Sequence, residues 1–194
     1  MTTHTRAGRP RLLYLIGPPA AGKSALAAAL RHGHDLAARD QPVPHLLLID
    51  PATGQPAGIE LGRIRDRFSG TDALPMNVHL RACDWIENGP VWPFVLAEGA
   101  RLATRGFLTA AHARYSVHLA HLHADPALLD QRCAERGSRQ DDRWRRGAAT
   151  RARNLAAWAE TQPWITLHHL DAAAPTADHT AALRLHITKE EAPA

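Results

Sequence analysis

Short, continuous apolar runs alternate along the chain with alanine-rich or amphipathic stretches. Residues 12–16 (LLYLI) are the first such run, closed by Gly17. Five apolar residues without polar alternation predict a strand buried on both faces. Residues 24–31 (SALAAALR) are rich in good helix formers and predict a helix. A second apolar run, 45–49 (HLLLI), predicts a second strand ending at Asp50-Pro51, and Gly and Pro crowd the following stretch, which reads as a loop. An arginine-rich segment, GRIRDRFSGTDALPMN, covers 62–77. Residues 78–87 predict a helix stopped by Asn88-Gly89-Pro90. Residues 94–97 predict a third strand, with Glu98 at its carboxyl end, and 115–124 (YSVHLAHLHA) a fourth. Asp125-Pro126 supplies an N-cap and an N1 proline for a helix reaching about residue 135. Residues 139–159 read as a basic helix with Gly147 as a candidate break, 165–170 as a fifth strand and 176–185 as a last helix. Residues 1–10 and those after 188 read as a disordered lead-in and a loose tail.

Strands separated by helices predict an α/β fold, with a mostly parallel sheet between two helical layers. Ligands of such sheets bind beyond the carboxyl ends of the strands. Gly17, Asp50, Glu98 and Asp171 all follow or end predicted strands, which makes that edge the candidate site.

Composition narrows the classes. The 194 residues suit one domain, and 45% apolar with 22% charged residues is the balance of a globular protein. No run is long enough to cross a membrane, and the N-terminal apolar run is too short for a secretory signal, so a cytoplasmic location is expected. Cys83 and Cys133 form no metal or redox motif and read as free thiols. A formal charge of +4 favours anionic ligands without singling out nucleic acid. Of the 23 basic residues only Lys23 and Lys189 are lysines. A lysine at position 23, in a chain so biased toward arginine, points to a place where a compact ammonium is required.

Lys23 stands in Gly17-Pro-Pro-Ala-Ala-Gly22-Lys23-Ser24, which satisfies G-x-x-x-x-G-K-[ST] between a predicted strand and a predicted helix. The glycines let successive backbone N–H groups curl toward phosphate oxygens, and the helix adds its positive N-terminal end. Gly17, Ala20, Ala21, Gly22, Lys23, Ser24 and Ala25 are thus the candidate phosphate-binding residues. Lys23 would reach the β- and γ-phosphates and Ser24 would ligate Mg²⁺. The dinucleotide fingerprint is absent, so the expected ligand is a nucleoside triphosphate.

GPPAAGKS, LLLID, VLAEGARL and HADPALLDQRCAERG together resemble the P-loop kinases, nearest to the chloramphenicol phosphotransferase and zeta-toxin types and to the nucleoside kinases. The resemblance spans about residues 11–187. It implies a three-layer α/β fold with a five-stranded parallel sheet of order 2-3-1-4-5, an arginine-rich lid at about 136–153, and ATP and Mg²⁺ as cofactors. It also implies that Asp50, after strand two, is the general base or orients the acceptor, and that Glu98 holds Mg²⁺ through water. Each has a plainer reading, Asp50 as a turn residue and Glu98 as a helix cap. No N-K-x-D is present, which argues against a GTPase.

An acceptor region is expected at about 51–90, where Arg67, Phe68, Thr71 and Asp72 offer stacking and hydrogen bonds; Arg101, beyond strand three, could touch phosphate or substrate. Ser-Gly-Thr-Asp could equally cap a helix starting near residue 73. Leading into the lid, Arg132 and Arg136 are four apart on one helix face and could meet the same phosphate. Arg139, Arg143, Arg145 and Arg146 follow, with Trp144 among them, beside acids that could make surface ion pairs. The grouped histidines lack zinc-site spacing, and His118 and His121 face opposite sides of a strand.

The leading expectation is transfer of a γ-phosphoryl group to a hydroxyl (or phosphate) of a small nucleoside-like or antibiotic-like molecule. Two alternatives stand beside it. FSGTDAL, EGARL and the basic stretch around Trp144 are reminiscent of phage-type kinases acting on hydroxymethylated bases in DNA, which would make nucleic acid the partner. A nucleotide-dependent switch or assembly ATPase is the other. Monomer and homodimer are both open.

Overall fold

The computed structural model describes residues 8–64, 70–71, 73–137 and 141–188. The elements run β1 (Arg11–Ile16), α1 (Lys23–Arg31), β2 (Asp35–Arg39), β3 (His45–Ile49), β4 (Pro56–Leu61), α2 (Val78–Asn88), β5 (Phe94–Glu98), α3 (Arg105–His112), β6 (Ser116–His123), α4 (Pro126–Glu135), α5 (Asp142–Glu160), β7 (Ile165–Asp171) and α6 (Thr176–Thr188). Seven strands form one sheet in the order β2-β3-β4-β5-β1-β6-β7.

Pairings from β4 through β5, β1, β6 and β7 are all parallel. Counted along the chain, these five parallel strands have the expected order 2-3-1-4-5. The sheet as a whole departs from the five-strand expectation. Its second parallel strand is β4, which the sequence reading placed in a loop, and β2 and β3 extend the β4 edge as an antiparallel pair. The cause lies in the residues. Strand β4 (PAGIEL) opens on Pro and carries a buried glutamate, while β2 (DLAAR) is an edge strand with no buried residue.

The apolar periodicity explains the layers. Leu12, Tyr14 and Ile16 point to one face and pack with residues of α2, α3 and α5. Leu13 and Leu15 point to the other and meet Leu26, Ala27 and Leu30 of α1 and Leu183 of α6. Truncating a residue as buried as Leu26 to alanine would cost about 2–5 kcal/mol. Helix α5 runs unbroken through Gly147, and residues 73–77 are non-helical, so the following helix starts only at Val78. Residues 9 and 10 are tied into the domain, the Pro10 carbonyl accepting from Ser116 N–H at 2.8 Å and Arg9 donating to the His112 carbonyl.

Because five strands run the same way, Gly17, Gly62, Gly99, Ala124 and Ala172 follow strand ends at one edge of the sheet. Strand β3 runs against them. Its last residue, Ile49, pairs with Pro56, the first of β4. Asp50 is therefore at the opposite edge, about 17 Å from the carboxyl end of β4 at about 3.4 Å per residue.

Candidate active site

The chain leaves β1 at Gly17 (φ 150°), where a Cβ would lie 2.4 Å from the Leu122 carbonyl oxygen, so only glycine fits between β1 and β6. The loop turns again at Ala20 (φ 64°) and Gly22 (φ 91°), and Gly22 caps α1 without a side-chain hydrogen bond. No acid lies in the first turn of α1. That leaves backbone N–H groups and the positive end of a nine-residue helix facing the loop, an arrangement suited to an anion. Lys23 Nζ donates to the Gly17 and Pro18 carbonyls at 3.0 and 2.7 Å, which keeps the ammonium over the loop.

Ser24 Oγ donates to Glu98 Oε2 at 3.1 Å, joining the first turn of α1 to the end of β5. Glu98 is only 3% exposed, and its other oxygen, Oε1, accepts the Thr71 N–H at 2.8 Å. Burial pushes the Glu98 carboxyl up from its ordinary range. Thr71 N–H, the Lys23 charge and the Ser24 hydroxyl oppose that rise, and nearby Glu60 adds to it. A hydroxyl and a carboxylate side by side at the loop are hard oxygen donors of the kind Mg²⁺ takes. No group of three or more His, Cys, Asp or Glu side chains able to hold a metal occurs among the described residues. The donor set therefore fits a cation held by one or two protein oxygens and completed by phosphates and water.

A cleft of about 210 Å³ opens beside the loop. Ala20, Ala21, Gly22 and Ala25 line it together with Leu122, with Arg132 and Arg136 of α4, and with Ala172, Ala174, Thr176 and His179 around the β7–α6 turn. The two arginines expected to share a phosphate do share this wall, but differently. Arg132 Nη2 donates to the Ala172 carbonyl at 3.0 Å and so braces the turn after β7. Arg136, the exposed C-cap of α4, makes no side-chain hydrogen bond or ion pair among the described residues. Arg145 bridges α4 and α5 through Asp130 (2.9 Å) and also pairs with Asp142, which holds its guanidinium above the usual arginine range. It braces α4 against α5. Arg143, Trp144 and Arg146 lie on the exposed side of α5.

Asp50 does not belong to this site. Its Oδ1 accepts the Ala52 N–H at 2.8 Å and its carbonyl accepts the Gly54 N–H at 2.8 Å, in the hairpin between β3 and β4. The turn role is the one the structure supports, and Asp50 stands at the wrong edge of the sheet for the catalytic and substrate-binding roles expected of it. The acid near the carboxyl end of the second parallel strand is Glu60, which sequence reading missed. Glu60 is fully buried; Arg31 Nη1 donates to both its oxygens at 3.0 and 2.9 Å, and Thr71 Oγ1 donates to Oε1 at 2.8 Å. Burial raises its carboxyl, while Arg31 and Thr71 pull it back.

Thr71, expected to contact substrate, has its polar groups turned inward: N–H to Glu98, hydroxyl to Glu60, and carbonyl accepting from Arg63 N–H at 3.1 Å. Arg101 is exposed and its guanidinium contacts Met76 Sδ, not the phosphate loop. Arg67, Phe68, Asp72 and Arg139 lie outside the described residues.

Residues 8–167 match the family described as P-loop Nucleotide Kinase3. The chain belongs to that family. No curated protein matches it. Among solved structures it is similar to an unliganded sugar kinase from Janibacter sp. HTCC2649, at 13% identity, over 92% of this chain and 96% of that one, with a TM-score of 0.47. Family membership makes the loop 17–24 that of a nucleotide-dependent kinase. No helix among the described residues is long and apolar enough to cross a membrane.

Proposed function

We propose that this P-loop kinase binds ATP on the loop 17–24 and transfers its γ-phosphoryl group to a hydroxyl (or phosphate) of a small nucleoside-like or antibiotic-like acceptor. The observation that carries this reading is the Ser24–Glu98 pair standing beside Lys23 at the head of α1. Loop N–H groups and the α1 terminus hold the phosphates, and Lys23 exchanges its bonds to the Gly17 and Pro18 carbonyls for phosphate oxygens. Ser24 and Glu98 would hold Mg²⁺, which when bound would neutralise charge on the phosphates. Arg136 closes on the phosphates from the cleft wall, while Arg132 shapes the β7–α6 turn against which the rest of the nucleotide packs.

In the reaction the acceptor oxygen bonds to the γ-phosphorus, the bond to the β-phosphate oxygen breaks, ADP leaves, and the acceptor proton passes to solvent. Such a transfer leaves little covalent chemistry to the protein, so positioning and charge stabilisation carry it. The cytoplasm is the compartment in which ATP would be met.

A second acceptor class, a hydroxymethylated base in DNA, draws support from α5. Trp144 is 44% exposed there, with the exposed Arg143 beside it and the exposed Arg151 two turns further along the same face. Stacking and phosphate contacts suit that surface. Incubation with γ-labelled ATP and Mg²⁺ against pooled nucleosides, nucleotides, aminoglycoside- and amphenicol-type alcohols and hydroxymethyl-base DNA tests both. Label on a small molecule, lost in Lys23→Ala, supports the first reading, and label on DNA the second. Free phosphate released without any labelled acceptor overturns both in favour of a switch or assembly ATPase.

A further inference from the structure

Thr71 lies between two buried carboxylates from different strands. Its N–H donates to Glu98 Oε1 and its hydroxyl to Glu60 Oε1, each at 2.8 Å. Glu60 is clamped from its other side by Arg31, at the far end of the helix that carries Ser24. Two carboxylates at 0% and 3% exposure are costly to bury, and apolar residues of similar volume would commonly serve packing as well. The arrangement makes sense where one carboxylate must keep a fixed orientation. Glu98 Oε2 is committed to Ser24, so its rotamer is fixed only if Oε1 is held too, and the backbone N–H that holds it is anchored through the Thr71 hydroxyl.

We infer that Glu60 and Thr71 are positioning residues for the metal-holding pair: Arg31 fixes Glu60, Glu60 fixes the Thr71 hydroxyl, and the Thr71 N–H sets the orientation in which Glu98 and Ser24 receive Mg²⁺. The inference rests on the reading of Ser24 and Glu98 as metal-holding residues. It ties the metal pair to the acceptor region, because the Arg63 N–H bond to the Thr71 carbonyl joins the two ends of the 63–71 segment.

The test is Mn²⁺ binding followed by electron paramagnetic resonance in the full chain with a non-hydrolysable ATP analogue, together with hydrogen exchange of the amide at position 71. Thr71→Val keeps volume and backbone but removes the anchor. It is expected to weaken Mn²⁺ about tenfold or more, the usual loss when a group orienting a metal ligand is removed. Exchange at position 71 should accelerate, and metal-free nucleotide affinity should stay unchanged. Thr71→Ser restores the hydroxyl and should return Mn²⁺ affinity to within about twofold of wild type. If Thr71→Val does not fold, Glu60→Gln decides, with weaker Mn²⁺ at unchanged metal-free nucleotide affinity as the supporting result. Mn²⁺ affinity in Thr71→Val (or in the deciding variant) equal to wild type overturns the inference alone. Wild-type protein that adds nothing to the Mn²⁺ binding of free nucleotide overturns the metal reading and the inference with it.

Discussion

Replacing Gly70 by alanine would place a methyl carbon 2.5 Å from Ser24 Oγ, 2.8 Å from Glu98 Oε1 and 3.3 Å from Ser24 Cβ. Ordinary contacts need about 3.5 Å, so the neighbours must open by roughly 1 Å. Ser24 Cβ cannot withdraw, because Leu26 and Ala27 on the same helix are buried at 1% and 0% exposure, and its hydroxyl turns away only by giving up its bond to Glu98. Glu98 cannot either, being at the end of a central strand and bonded at both oxygens. The cheaper response is for residues 70–71 to lift, which stretches the two 2.8 Å bonds that Thr71 makes to carboxylates. Overpacking of this kind costs about 1–3 kcal/mol, and each lost bond to a charged group about 1.5–3. Partial relaxation on both routes gives an expected loss of about 2–3 kcal/mol. At about 2–4 °C per kcal/mol for a chain of this length, the melting temperature should fall by about 5–10 °C. Urea unfolding of the ligand-free protein reads the loss, and the Mg²⁺ concentration needed for half-maximal transfer should rise in the same variant. A Gly70→Ala protein within about 0.5 kcal/mol of wild type, with an unchanged Mg²⁺ requirement, would refute the close packing of the 70–71 segment on the metal pair.

Asp50→Asn should leave phosphoryl transfer unchanged, since the residue caps a hairpin at the far edge of the sheet; asparagine keeps the acceptor for Ala52 N–H, so the stability cost should stay below about 1 kcal/mol. Arg136→Ala should lower kcat with little change in thermal stability. Arg132→Ala should also raise the nucleotide KM, because it releases the turn at Ala172. The pH dependence has two opposite signs. Burial raises Glu98 and Glu60, so the ligand-free fold holds their protons more tightly than the unfolded chain does. Their contribution to stability is full below the unfolded value of 4.5 and is lost as pH rises through the raised folded values. Divalent-cation affinity should climb over that window, because Glu98 must be ionised to hold the metal. Urea midpoints against pH should decline less in Glu98→Gln than in wild type; parallel curves would contradict the assignment.

What the sequence disclosed follows from how local each signal is. The loop 17–24 is contiguous, and its spacing needs no tertiary information. Glu98 was legible because β5 is short, buried and ends on it. Position 50 misled because an apolar run ending in an acid looks the same whether its strand runs with the sheet or against it. His45–Ile49 pairs antiparallel with β4, and that sends Asp50 to the wrong edge. Strand β4 stayed hidden behind Pro56 and Gly58, and its glutamate belongs to a bond network whose partners, Arg31 and Thr71, are 29 and 11 residues away. Arg132 and Arg136 were found together by helical spacing. Their different tasks depend on Ala172, which only the fold brings near.

The central claim is that the loop and the Ser24–Glu98 pair receive a nucleotide and its cation as a unit. Calorimetric titration of wild-type protein with a non-hydrolysable ATP analogue, with Mg²⁺ and then with the metal chelated, tests it most directly. The account predicts at least about tenfold tighter binding with Mg²⁺, little metal dependence in Glu98→Gln, and strongly weakened binding in Lys23→Ala under both conditions. Equal affinity with and without the metal in wild type, or undiminished binding in Lys23→Ala, would contradict it.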